Sequence, residues 1–159
     1  MIRAAAPSDH DAIWALLEPV FRAGETYAVD PAISRDDALA YWTGGAACYV
    51  TEVDGAIVGT YYIRTNQPGG GAHVCNCGYV VGDAARGRGL AGQMCEASQE
   101  QARALGYRAM QFNFVLASNA GAVRLWRRLG FETVGTIPAA FDHPKLGMVD
   151  AYVMYKQFK

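Results

Sequence analysis

The residues that suggest chemistry most directly lie in the segment "VVGDAARGRGLAGQM", residues 80–94. Gly87 and Gly89 remove side chains from a loop, while Arg86 and Arg88 add guanidinium groups that match phosphate oxygens. The segment follows a β-rich run and opens an amphipathic helix, whose N-terminus carries unpaired N–H groups and a partial positive charge. We therefore predict a pyrophosphate site at this strand-to-helix turn.

Two other phosphate-binding patterns fit less well. A nucleotide P-loop needs Gly-Lys followed by Ser or Thr, but this loop continues into Leu90 and Ala91. A dinucleotide fingerprint matches the spacing of Gly87, Gly89 and Gly92, yet it comes after a hairpin, past the middle of the chain, and lacks the acidic residue expected after the next strand.

The elements that position this loop alternate between strands and helices. Ser8 or Asp9 is expected to cap a first helix, which Pro19 should kink or break near Glu18, and Ser34 is expected to cap a second. Asp54-Gly55 predicts a hairpin between "ACYVTEV" and "AIVGTYYI". The later elements are listed here: strand "HVCNCGYVV", a helix to Gly106, strand "AMQFNFV", a helix from Asn119 to Gly130, and strands "ETVGTI" and "VDAYVMY". The order predicts a mixed α/β fold in one domain spanning residues 1–159.

Composition narrows the function classes. The 159 residues are 52% hydrophobic with a net charge of −1, so no general basic field favours nucleic acid or an anionic membrane. Without a signal-peptide pattern or a membrane-length apolar run, we expect a cytoplasmic protein with reduced cysteines. Cys75 and Cys77 lack a second ligand pair at zinc spacing, so no metal is expected.

These residues resemble the GNAT acetyltransferase superfamily, whose signature is Arg or Gln, two residues, Gly, one residue, then Gly or Ala. Arg86, Gly89 and Ala91 match that signature, and "NAGAVRLWRRLGF" is similar to a second family element. The segment "GETYAVDPAISRDDALAYW" is similar to the acceptor side of the branch that acetylates L-amino acids and phosphinothricin. The resemblance implies a central twisted sheet with about four helices and acetyl-CoA between splayed strands. Gly78 is expected to mark a bulge that starts the divergence, or a close packing contact.

The resemblance also assigns residues. Cofactor contacts are expected from the following: Tyr79, Val80, Val81, Arg86, Gly87, Arg88, Gly89, Leu90, Ala91, Asn113, Asn119, Ala122 and Trp126. A backbone N–H between Tyr79 and Val81 would stabilise the oxyanion. Many members protonate the leaving thiolate with a tyrosine where this chain has Trp126, so Tyr152, Tyr155 or water is expected to substitute.

The acceptor side offers several candidates. Asn76, Tyr79 and Tyr155 are the candidate catalytic residues, and Glu25, Tyr27, Arg64 and His73 the candidate acceptor-binding residues, with Arg64 expected to pair with a carboxylate. No strong base stands out, which favours a small α-amine over a lysine side chain because the α-amine is more often neutral. We expect an N-acetyltransferase acting on a small amino-acid-like amine. A non-catalytic CoA-binding module and an acetyltransferase for peptide amines remain alternatives, and the resemblance allows a homodimer.

Overall fold

The computed structural model describes residues 1–159 as one seven-stranded sheet with four helices. The strands are β1 (Ile2–Ala4), β2 (Ala47–Val53), β3 (Ala56–Thr65), β4 (Val74–Val81), β5 (Ala109–Leu116), β6 (Glu132–His143) and β7 (Gly147–Gln157). The helices are α1 (His10–Ala23), α2 (Arg35–Thr43), α3 (Leu90–Ala104) and α4 (Ala120–Arg128). The predicted mixed α/β fold is confirmed. No helix combines the length and the apolar character needed to cross a membrane.

The sheet divides in the middle. Its order is β1-β2-β3-β4-β5-β7-β6, and only β4 and β5 run parallel. They pair only at Val74 with Ala109 and at Cys75 with Met110. Beyond this point β4 stays paired with β3 and β5 with β7, so the two strands diverge toward their C-terminal ends. This divergence opens the groove that the resemblance implied.

Helices cover both faces of the sheet. On one face α1 and α2 bury Phe21 and Trp42 against Tyr62 and Val80. On the other face Cys95, Met110, Phe112, Trp126 and Met154 belong to a second buried cluster that includes residues of α3 and α4. Because side chains alternate along a strand, neighbouring residues of β4 serve different faces: Tyr79 faces α3 and Val80 faces α1.

Short sequence signals set several boundaries as predicted. Ser34 caps α2 by accepting a hydrogen bond from the Asp37 N–H at 3.1 Å. Asp54 and Gly55 have φ angles of 51° and 81°, which suit the tight turn between β2 and β3. Gly130 follows α4 with φ of 97°, and Phe131 packs in the core.

Three local expectations need correction. Of the kink or break expected near Glu18, the break does not occur: α1 continues through Pro19 to Ala23, because buried Leu17 and Phe21 anchor it on both sides of the proline. Asp9 occupies the N-cap position of α1, but its carboxylate binds Arg3 and the Ala6 N–H and does not cap the helix. The last two strands extend well beyond the predicted segments and form a long hairpin.

Gly78 marks a packing contact, and no bulge. The β3–β4 ladder keeps its register through Tyr62 and Gly78. A Cβ at Gly78 would lie 2.5 Å from the Tyr62 ring, so glycine is needed for that ring to lie across β4. Of the two alternatives offered by the sequence, close packing is therefore the one observed.

Candidate active site

The diverging strands enclose a groove of about 880 Å³. The wall on one side comes from β4 and the start of α3, the wall on the other from β5 and α4, and the α1–α2 loop covers one end. Most of the lining is apolar or main chain. No Asp, Glu, His or Lys side chain lines the groove, and its only charged side chains are Arg86 and Arg128.

The loop between β4 and α3 forms a cradle of main-chain donors. Gly87 and Gly89 have φ angles of 82° and 74°, which favour glycine. A Cβ at either position would meet no protein atom within 4 Å, so the absent side chains leave space open above the loop. Gly89 precedes α3 without a capping side chain, and the first N–H groups of this helix have no partner inside it. The donor set and the open space fit a pyrophosphate.

The two loop arginines differ in position. Arg86 lines the groove and is mostly exposed, and its Nε lies 3.1 Å from the Asp83 carboxylate. Arg88 is exposed but does not line the groove. Every other residue predicted to contact the cofactor does line it. The structure therefore brings the predicted set together with the exception of Arg88.

The main chain of β4 offers polar groups to the groove. Because Gly82 N–H bonds to β3, alternation along the ladder directs the N–H groups of Tyr79 and Val81 away from β3, toward the opening. The Tyr27 hydroxyl accepts from Tyr79 N–H at 2.9 Å and donates to Tyr79 C=O at 2.8 Å. The Val81 N–H has no such partner. Of the predicted oxyanion donors, only Val81 is therefore free.

The side chain of Tyr79 points to the other face. Its hydroxyl lies 2.7 Å from Ser98 Oγ, and burial raises the pKa of Tyr79 well above its usual value. Burial likewise raises the pKa of Tyr27. Both phenols therefore stay neutral near pH 7 and are poor bases.

Helix α4 supplies the wall opposite the cradle. Asn119 caps it through Oδ1, which accepts from the Ala122 N–H at 3.4 Å. The Trp126 ring packs against Tyr79 and Phe112, with centroids 5.2 Å and 5.0 Å away. Its indole N–H has no hydrogen-bond partner within the protein.

Two asparagines mark the point where the strands part. Asn76 donates from Nδ2 to the Gln111 carbonyl at 2.9 Å and accepts from the Tyr62 hydroxyl at 3.1 Å. Asn113 on β5 binds Asn66 and Gln111 through its amide. The Asn76 side chain donates to a β5 carbonyl just beyond the point where main-chain pairing between β4 and β5 ends. It therefore holds the two strands in place where the groove opens.

Four predicted residues lie away from the groove. His73 is exposed at the closed end of β4, six residues before Tyr79, or roughly 20 Å along an extended strand. Tyr155 faces a separate small pocket beside Glu132 and Lys156. Arg64 is stacked between Tyr41 and Tyr62, 4.5 Å from each ring centroid, and donates to the Tyr41 carbonyl. An arginine held in this way is poorly placed to bind a carboxylate.

Glu25, the fourth, forms an ion pair at the edge of the groove. Its carboxylate lies 2.9 Å from the Lys145 ammonium, in the turn between β6 and β7. Hydrogen bonding to Lys145 lowers the pKa of Glu25, which makes this carboxylate a weaker base. Nearby His143 is buried, and its Nδ1 accepts from the N–H groups of Lys145 and Leu146.

Sequence reasoning missed three aromatic residues of the lining. Tyr41 on α2, Tyr62 on β3 and Phe114 on β5 all line the groove. Each sits in an apolar run that reads as ordinary core. Only the cross-strand pairing of Tyr62 with Gly78 could have suggested a ring lying across β4.

Comparison with known proteins agrees with this architecture. Residues 11–131 match the model of the Acetyltransferase (GNAT) family. The structure of a GCN5-related N-acetyltransferase from Kribbella flavida is 37% identical, with a TM-score of 0.94 over 99% of this chain and 97% of that one. The N-acetyltransferase aca1 of Schizosaccharomyces pombe is 28% identical over 156 residues, 85% of this chain and 73% of the relative.

A more distant structure shares the fold. The phosphinothricin acetyltransferase of the GNAT superfamily from Sinorhizobium meliloti, solved in complex with AcCoA, is 21% identical. Its TM-score is 0.87 over 99% of this chain and 88% of that one.

Proposed function

Because this chain belongs to the GNAT acetyltransferase family, we propose that it transfers the acetyl group of acetyl-CoA to the neutral primary amine of a small, amino-acid-like metabolite. The absence of a base from the groove is the observation that carries the choice of amine. Membership of the family supports acetyl-CoA as the donor, and the geometry of the groove supports a small acceptor.

The β4–α3 loop is the part of the chain that would hold the donor. The open space above Gly87 and Gly89 allows a pyrophosphate to approach the main chain, and the N-terminal turn of α3 supplies donors. Arg86 adds a guanidinium at the rim. When bound, acetyl-CoA supplies a thioester whose carbonyl carbon accepts the amine and whose thiolate leaves.

The groove offers no group that could deprotonate an ammonium. Its lining contains no carboxylate, imidazole or lysine, and burial raises the pKa values of the Cys77 thiol and of the Tyr27 and Tyr79 phenols. At pH 7.5 an α-amino group beside an amide carbonyl, with pKa near 7.8, is about one-third neutral, whereas a lysine side chain with pKa near 10.4 is about 0.1% neutral. An acceptor that is neutral without help is therefore favoured.

The acceptor end is bordered by two segments that an ion pair joins. Glu25 lies in the α1–α2 loop and Lys145 in the β6–β7 turn, and their charged groups are 2.9 Å apart. Phe114 on β5 lines the groove and packs against Phe141 of β6, the strand that leads into this turn. This closed edge favours a small metabolite over an extended peptide.

The main chain of β4 would stabilise the charge that develops during transfer. Val81 N–H points to the groove and is free to donate to the carbonyl oxygen, while Tyr79 N–H is available only when Tyr27 releases it. An enzyme acid at the leaving thiolate would speed transfer but is not essential, because a thiol with pKa near 8.5 departs largely as the anion. The proton that the attacking nitrogen loses as the amide forms passes to water or to the departing thiolate.

Trp126 favours a second candidate, a CoA-binding module without turnover. It occupies the position at which the resemblance expects the acid, and indole donates a hydrogen bond but does not lose its proton near neutral pH.

A thiol-release assay separates these functions. Purified protein is incubated with acetyl-CoA and a panel of α-amino acids, amino-acid amides, alkylamines and lysine-containing peptides with blocked N-termini. The proposal expects release with small α-amines above the lysine peptides. A preference for the lysine peptides would contradict the proposed acceptor, and tight CoA binding without turnover of any amine would support the binding module.

A further inference from the structure

A row of hydrogen bonds crosses the sheet face covered by α1 and α2, where β4 and β5 begin to part. The Tyr41 and Tyr62 hydroxyl oxygens are 3.2 Å apart, and the Tyr62 hydroxyl donates to Asn76 Oδ1 at 3.1 Å. Asn76 Nδ2 donates to the Gln111 carbonyl at 2.9 Å. Tyr41, Tyr62 and Asn76 also line the groove.

The Gln111 carbonyl fixes the direction of the whole row. A carbonyl only accepts, so the amide nitrogen of Asn76 must face it and Oδ1 must face Tyr62. The Tyr62 hydroxyl therefore donates its single proton to Asn76, and its oxygen can only accept from Tyr41. The Tyr41 hydroxyl in turn donates its proton to Tyr62. The Tyr41 oxygen is left with lone pairs and no donor for anything in the groove.

Packing holds the two phenols in place. The Arg64 guanidinium lies 4.5 Å from both ring centroids and is anchored on the Tyr41 carbonyl. Trp42 packs edge-on against Tyr62 at 4.8 Å between centroids, and the missing Cβ of Gly78 admits the Tyr62 ring. The oxygen of Tyr41 is thus a positioned hydrogen-bond acceptor rather than a mobile hydroxyl.

We infer that the Tyr41 oxygen accepts an N–H of the acceptor amine and selects the amine end of the acceptor over its carboxylate end. This inference rests on the proposed function and deepens it. A neutral primary amine donates one N–H to Tyr41 and keeps its lone pair for attack, whereas a carboxylate oxygen would face another acceptor. The row ends on a main-chain carbonyl that takes up no proton, so Tyr41 binds and orients the amine without deprotonating it.

The test compares Tyr41→Phe with Tyr107→Phe. The first keeps the ring beside Arg64 and removes only the oxygen. The second removes a tyrosine hydroxyl that bonds Thr65 at 2.7 Å outside the groove. Calorimetry measures binding of the panel amines, and of analogues with methyl in place of the amine, to protein saturated with CoA; thiol release measures kcat and KM.

We expect Tyr41→Phe to weaken amine binding roughly three- to tenfold, the loss typical of one hydrogen bond between neutral groups. Methyl-analogue and CoA binding should stay within about twofold of wild type, and KM should rise more than kcat falls. Tyr107→Phe should match the wild type. Turnover of an amine with equal KM in wild type and Tyr41→Phe would overturn this inference and leave the proposed function standing. Tyr41-dependent amine binding without thiol release would overturn the proposed function and leave the binding role of Tyr41 standing. If no panel amine binds, both are overturned, and equal losses for amine and methyl analogue would assign Tyr41 a packing role only.

Discussion

Replacing Gly89 with alanine tests two requirements of the β4–α3 loop, a positive φ angle and open space for a pyrophosphate. Gly89 has φ of 74°, and a Cβ there would meet no protein atom. Gly106, at the other end of α3, has φ of 97° and an equally open surrounding, but it does not line the groove. Both Gly89→Ala and Gly106→Ala therefore strain the backbone without a clash, while only the first adds a methyl where we expect the pyrophosphate.

The magnitudes follow from these geometries. An alanine in the left-handed region costs about 1–2 kcal/mol, which lowers Tm by roughly 2–8 °C for a chain of this length. We expect this loss in both variants. A methyl in the cradle also removes at least one charge-assisted hydrogen bond, about 1.5–3 kcal/mol, so Gly89→Ala should weaken CoA binding roughly ten- to hundredfold.

Calorimetric titration with CoA and thermal unfolding check this prediction together. Gly106→Ala should bind CoA within twofold of wild type despite its lower Tm. Wild-type affinity in Gly89→Ala, or an equal loss of affinity in both variants, would refute the assignment of this loop to the pyrophosphate.

Three further outcomes are expected. Arg86→Ala should weaken CoA binding about tenfold, near the lower end for a charge-assisted contact because this side chain is exposed and already pairs with Asp83; calorimetry at rising salt should show the difference shrink. Arg3 and the Ala6 N–H lower the pKa of Asp9 to about 2, so its contribution to the free energy of unfolding should be complete above about pH 5 and be lost as pH falls from about 4 to 2. Urea unfolding measured at several pH values should show that the free energy of unfolding of Asp9→Asn depends less on pH across that range than that of the wild type. Trp126→Tyr should turn over faster than Trp126→Phe in the thiol assay, since only the tyrosine supplies an acid, and equal kcat values would show that no acid is needed at this position.

The sequence predicts best what local chemistry decides. The glycine-rich turn between β4 and α3, the Ser34 and Asn119 caps and the Asp54-Gly55 turn each depend on a few consecutive residues, and these local structures are found as expected. The diverging strands were expected from the family resemblance, which spans most of the chain.

Contacts between distant segments were beyond the reach of the sequence. Arg64 ends a strand and looked free to bind a carboxylate, but Tyr41 from another element covers one side of its guanidinium. His73 and Tyr155 carry groups suited to proton transfer. The direction of β4 places His73 at the closed end of that strand, and the pleat of β7 turns Tyr155 to a separate pocket. The Tyr27 hydroxyl reaches the Tyr79 main chain across 52 residues of sequence.

The dependence of kcat/KM on pH tests the central claim, that the enzyme acts on an amine which is already neutral. Two well-accepted panel amines of similar shape but different pKa are compared, for example an α-amino acid and its amide. We expect kcat/KM to rise about tenfold per pH unit below the pKa of each amine and to level off above it, so that the two profiles are displaced by the difference between the amine pKa values. A shared inflection at one pH for both amines would reveal a titrating base of the enzyme and contradict the claim that the amine binds already neutral.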